Sequence, residues 1–144
     1  MEQNSKLSKQ VERFQQHMLG IILRSLEEKL EPLGDQSMIV SRIEVDNPTL
    51  MRDLAFQVRS RYPGISLALG AEIEGKAHLA VMISDLLLKE HHLNAAQIIK
   101  EVAPLIQGGG GGQPFFATAG GKNPKGLDSA LQKAREILIE AVGD

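Results

Sequence analysis

The stretch ISLALGAEIEGKAHLAVMI, residues 65–83, contains two runs of alternating residues on either side of Glu74-Gly75-Lys76. In the first, Ile65, Leu67, Leu69 and Ala71 alternate with Ser, Ala and Gly, the period of a strand with one small-residue face. In the second, Ala77, Leu79, Val81 and Ile83 occupy every other position. A short polar break with glycine between two such runs is a hairpin signal, so adjacent antiparallel strands are expected here.

Upstream, Ser37 to Val45 (SMIVSRIEV) is β-branched and apolar enough for a largely buried strand. Asn47 is placed to cap a helix that opens on Pro48, a residue suited to the first helical position. Leu50, Leu54 and Val58 give that helix a buried stripe, and Pro63-Gly64 closes it. Further upstream, Leu7, Val11, Phe14, Met18 and Ile21 follow a 4-3-4-3 spacing, the seam of a coiled coil or a docked stem. The stripe broadens through Ile22, Leu23, Leu26 and Leu30, where a helix would meet a globular body, and Pro32 and Gly34 end it. The polar opening, Glu2 to Lys6, suits a stem that continues something before it.

Downstream, a helix is expected from about Asp85 and another from Asn94, whose pairing with Gln97 resembles a capping box. Ile98, Ile99, Val102 and Ile106 supply the second helix's apolar face, and Pro104 should distort its last turn. Five glycines, Gly108 to Gly112, then lead to a short strand at Phe115 to Ala119, the pair Gly120-Gly121, and a last helix carrying Leu127, Leu131, Ala134, Leu138 and Ala141. The order implies an α/β (α+β) fold, a small mixed four-stranded sheet with packed helices, preceded by a long N-terminal helix. Residues 1–34 are expected to be a helical stem and 35–144 a globular domain.

Composition narrows the function. With 144 residues, 16 Lys+Arg and 18 Asp+Glu, the net charge is −2, which excludes a uniformly basic nucleic-acid coat but not a local patch. Aromatics make up 3% of the chain and Trp is absent, unlike a base-stacking platform. Without cysteine there is no thiol nucleophile, disulfide framework or Cys-based zinc site. No apolar run approaches ~20 residues and no signal peptide opens the chain, so a cytoplasmic protein without a membrane partner is expected.

The glycine run is the chemically suggestive feature. Its composition would suit a flexible tether, but Pro114, the apolar Phe115-Phe116 and Gly120-Gly121 embed it in a regular pattern. Without Cβ atoms, such a loop lets main-chain N–H groups approach a phosphate or ribose closely. A phosphate loop of NTPases needs Gly-Lys-Ser/Thr at its end, where Gln113-Pro114 stands here. A dinucleotide fingerprint needs a third glycine where Gln113 or Pro114 lies, and it runs from strand to helix rather than the reverse. His91-His92 diverge by about 100° on a helix and have no companion ligands. His17 and His78 stand alone, and the serines lack a base. Arg59 and Arg61 suit the end of a helix, whose dipole favours cations. Lys122 and Lys125, by contrast, sit at a helix start, where a shared anion would explain them.

The segment IIKEVAPLIQGGGGGQPFFATAGG, residues 98–121, resembles the signature of the C-terminal DHHA1-type module of alanyl-tRNA synthetases: a helix, a glycine cluster, a proline, then A-x-A-G-G. Gly108 to Gly112, Pro114, Ala117, Ala119, Gly120 and Gly121 match it, and the likeness extends over about residues 36–142. The resemblance implies a non-catalytic domain that contacts the elbow of tRNA-Ala and helps tie aminoacylation to editing. The rest of the synthetase chain would be its partner, with a homodimer through the N-terminal helix as a further possibility. It implies no cofactor in this segment; ATP, magnesium and zinc belong to other domains of such a synthetase. The expected RNA-binding residues are Gly108, Gly109, Gly110, Gly111, Gly112, Gln113, Gly120, Gly121, Lys122 and Lys125. Two departures stand out: Gln113, where the family often has a basic residue, and Phe115-Phe116, where it is often polar. One of these phenylalanines should enter the core, leaving the other to pack or to stack on a base. The rival readings are the substrate-binding domain of a DHH-family phosphoesterase and a dimerisation unit.

Overall fold

The computed structural model describes residues 2–142, with side chains at Arg13 and from Gln16 onward. Helix α1 (Glu2–Glu27) leads into strands β1 (Glu31–Leu33) and β2 (Gln36–Arg42), helix α2 (Pro48–Arg61), and strands β3 (Ile65–Ile73) and β4 (Lys76–Met82). Helices α3 (Asp85–Glu90) and α4 (Ala95–Val102) follow, then a 3-10 turn (Ala103–Ile106), β5 (Gly108–Gly112), β6 (Phe116–Gly121), a second 3-10 turn (Pro124–Gly126) and α5 (Leu127–Val142).

One mixed sheet of six strands in the order β1-β2-β3-β4-β6-β5 forms the middle layer. Only β2 and β3 run parallel, joined by α2 as a crossover; the other neighbours are antiparallel. The α/β class is the expected one, but the sheet has six strands rather than four. The added strands are β1 and β5, and both run along edges. Proline in β1 and unbroken glycine in β5 carry low strand propensity, and an edge position tolerates both. The glycine run is therefore a strand and not the expected loop.

Each face of the sheet buries its own core. On one face Ile39, Leu67, Leu69, Met82 and Phe116 pack with Leu19, Leu23 and Leu26 of α1 and Met51, Leu54 and Val58 of α2. On the other, Leu79, Val81, Ala117 and Ala119 pack against Leu87 of α3, Ile98 and Ile99 of α4, and Leu127, Leu131 and Leu138 of α5. Gly70 serves the second face: a Cβ there would stand 3.1 Å from Leu131, so the missing methyl seats α5 against β3.

Helix α1 docks by Leu19 and by Leu23 and Leu26 of the broadened stripe expected to meet the body, whereas Met18 and Ile21 of the expected seam remain 37% and 46% exposed. Leu7, Val11 and Phe14 lie outside the described side chains. Helix α2 starts as its sequence requires, with Asn47 Oδ1 accepting the Leu50 N–H at 2.9 Å and Pro48 first in the helix. Asn94 caps α4 through the Gln97 N–H, and Pro104 tightens the end of that helix into the 3-10 turn.

Candidate nucleic-acid interface

Helix α2 rests on β3 and β4 and reaches β6 where Phe56 meets Phe116, with ring centroids 5.2 Å apart. Beyond that contact, the same face of β4, β6 and β5 forms the floor of an open groove. Strand register sets three rows across it: His78, Gly120 and Gly109; Ala80, Thr118 and Gly111; and Phe116 with Gln113, whose β4 neighbour Met82 is buried in the core. The first turns of α2, with Pro48, Thr49 and Arg52, form the wall, and the groove encloses about 660 Å³.

The five glycines divide by face. Cβ atoms built at Gly108, Gly110 and Gly112 point to the α4–α5 side and overlap the backbone of β6, all nearer than the 3.0 Å that real Cβ atoms respect. At Gly109 and Gly111, which face the groove, a Cβ would meet nothing within 4 Å. Gly120 is nearly as free, its closest neighbours being 3.9 Å away. The hairpin turn also orients the polar main chain. Gln113 and Phe116 exchange both N–H···O bonds, so antiparallel alternation turns the N–H and C=O groups of Gly109 and Gly111 toward β6. Those of Gly108, Gly110 and Gly112 turn outward along the exposed sheet edge.

Arg52 supplies the positive charge of the wall. Its guanidinium carbon lies 5.6 Å from the centre of the Phe56 ring and 6.0 Å from that of Phe116. Arg42, Arg59, Arg61 and Arg135 each pair with a carboxylate, whereas Arg52 has no such pair among the described residues. No group of metal-ligating side chains occurs among the described residues, and no helix there is long and apolar enough to cross a membrane.

Residues 35–140 match the model of the DHHA1 domain. The chain belongs to the DHHA1 domain family. Its relatives include alanine–tRNA ligases of Cytophaga hutchinsonii, 38% identical over 138 residues (96% of this chain), and Christiangramia forsetii, 40% identical over 137 residues (95% of this chain). The chain spans 16% of the length of either relative. Among solved structures, the C-Ala domain of Aquifex aeolicus alanyl-tRNA synthetase superposes with a TM-score of 0.65 at 27% identity, covering 81% of this chain and 99% of that one. RecJ of Thermus thermophilus shares the fold, with a TM-score of 0.62 at 13% identity over 92% of this chain and 19% of its own. This DHHA1 domain is thus homologous to the C-Ala domain of alanyl-tRNA synthetase.

Within the DHHA1 domain, the two glycine clusters expected to act together are neighbours in the ladder, Gly108 opposite Gly121 and Gly109 opposite Gly120. Gly121 is confined by its fold, since a Cβ there would overlap the Ile106 carbonyl oxygen. Gln113 is exposed at the hairpin turn and lines the groove. Lys122 and Lys125 are exposed beyond the end of β6 and do not line it. Asn123 Oδ1 accepts the Lys125 N–H at 3.2 Å, so that amide is already capped. Phe116 enters the core at 9% exposure, and half-buried Phe115 packs edge-on to Phe56, 6.4 Å between centroids, beneath Arg59. Ordinary packing therefore accounts for both rings. Sequence reading missed Arg52, His78 and Thr118 as groove residues. The four-residue spacing of Arg52 and Phe56 on α2 was the available signal for the first, and strand alternation was the signal for the others.

Proposed function

We propose that this DHHA1 domain is the tRNA-binding C-terminal accessory domain of an alanine–tRNA ligase, without catalysis of its own. It contacts the tRNA elbow and helps couple aminoacylation with editing, in the cytoplasm, while ATP, magnesium and zinc belong to other domains of the ligase. The carrying observation is the open space over Gly109 and Gly111. Packing requires glycine at 108, 110 and 112, but nothing within the fold requires it at 109 and 111. A ligand that must approach the main chain supplies that requirement, and a ribose-phosphate edge can lie flat on the bare Cα atoms while side chains at the groove's margins meet its polar groups. Recognition by shape and backbone is consistent with a near-neutral chain whose described residues offer no free aromatic platform. Lys122 and Lys125, off the groove, contribute longer-range attraction.

A gel-shift series with tRNA-Ala, other tRNAs and a linear RNA of equal length tests this reading. Folded tRNAs should bind better than the linear RNA, with dissociation constants in the micromolar range or weaker, because few phosphates are neutralised. Equal binding of all three would reduce the interaction to generic charge attraction. The fold shared with RecJ sustains the phosphoesterase alternative. Saturable binding of a short oligonucleotide end in place of tRNA would favour it.

A further inference from the structure

We propose that Arg52, rather than Lys122 or Lys125, is the principal phosphate-contacting cation of the groove, with His78 and Thr118 as the polar contacts across its floor; this rests on the tRNA-binding reading above. The described residues contain several exposed cations, so position and pairing must discriminate among them. Arg42, Arg59, Arg61 and Arg135 are each held by a carboxylate. An incoming phosphate would have to compete with that partner. Lys122 and Lys125 are beyond the end of β6.

Arg52 combines what the others lack. It stands on the groove wall, it has no carboxylate partner among the described residues, and two aromatic rings lie beside its guanidinium. Ring contact holds the planar fork in place without consuming its N–H donors, so they stay free for two phosphate oxygens. Less rotamer freedom is then lost when the anion arrives. The rings belong to Phe56, one helical turn from Arg52, and Phe116, the last ring of the floor. Phe116 thus couples the cation to the strand that pairs with the glycine edge.

His78 stands at the other end of the floor, four residues along β4 from the Met82–Phe116 row, or roughly 13 Å at strand rise. Between the two ends, the surface consists of Gly109, Gly111, Gly120 and Thr118, over the buried Ala80. A bare strip with a cation at one end and an imidazole at the other can lie flush along a sugar-phosphate backbone, with the Thr118 hydroxyl at its centre. The ligand class is therefore the backbone of a folded RNA, gripped at two separated points.

The test measures binding of a tRNA-Ala transcript to the full 144-residue chain by fluorescence anisotropy at several salt concentrations. R52Q should weaken binding about tenfold or more and reduce the slope of log affinity against log salt by about 0.7–0.9, the share of one phosphate contact. R52K should recover part of the affinity, keeping the charge but losing the fork and the ring contact. H78A with T118A should weaken binding without changing the salt slope, and K122A with K125A should change affinity less than about threefold. Circular dichroism melts of each variant should match the parent within a few degrees. Parent-like affinity and slope in folded R52Q would overturn the assignment while leaving the tRNA-binding reading intact, as would a tenfold loss in the lysine pair alone. Failure of the unmodified chain to prefer tRNA over linear RNA would remove both.

Discussion

At Gly109 and Gly110, adjacent glycines have opposite reasons to be glycine. A methyl at 110 overlaps the Thr118 carbonyl oxygen and stands 2.6 Å from the Ala119 Cα, backbone that cannot rotate away. Gly110→Ala should therefore push β5 off β6 and lower stability by about 1–3 kcal/mol, the range for overpacking a tight contact. A methyl at 109 projects into the groove and meets nothing within 4 Å. Gly109→Ala should leave the melting temperature unchanged or slightly raised, since alanine has less unfolded-state freedom to lose. Its cost should appear in tRNA affinity, with Gly111→Ala behaving alike. A melt and a binding curve for each variant separate the two classes. Full tRNA affinity in Gly109→Ala and Gly111→Ala would mean that the glycines only blunt an exposed sheet edge.

Helix α2 connects local chemistry to groove geometry, because its first turns are the wall that carries Arg52. Its start depends on the Asn47 cap. Asn47→Ala should cost about 1 kcal/mol, the usual value of such a cap, seen as a lower midpoint in urea. It should also weaken tRNA binding, since a frayed first turn lets the wall move, whereas Asn47→Ser, which caps without adding charge, should preserve both. This helix was legible in the sequence because capping residue, proline and apolar stripe are local signals that agree with one another. The β3–β4 hairpin was legible for the same reason, with a clear period on either side of one turn. Strand β5 was not: five residues without side chains show no period, and only pairing with β6 makes them a strand. Strand β1, three residues long with a proline, gave as little signal. The groove was legible in part. Glycines mark it in the sequence, but Arg52 and His78 are 26 positions apart; His78 reaches the glycines through sheet register, and Arg52 only through the docking of α2 on the sheet.

Across the whole molecule, α1 belongs to the globular body and not only to a stem. Leu19, Leu23 and Leu26 are at most 6% exposed and share a core with β2, β3 and α2. Burial of a leucine is worth about 1.5–3 kcal/mol, and three of them amount to a large part of the ~5–15 kcal/mol that holds a domain folded. Deleting residues 1–27 should therefore abolish cooperative unfolding or depress the melting temperature severely. That deletion is consequently a poor test of a dimer formed through the N-terminal helix, because a lost dimer and a lost fold look alike. Met18 and Ile21 give a cleaner one: both are exposed, and replacing each with glutamate leaves the leucine contacts in place. The double variant M18E/I21E should melt within a few degrees of the parent. If copies associate through this helix, light scattering should show the parent's mass falling to that of a monomer in the variant, since four like charges at one seam repel. A dimer mass that survives the double substitution would place the contact elsewhere on the molecule.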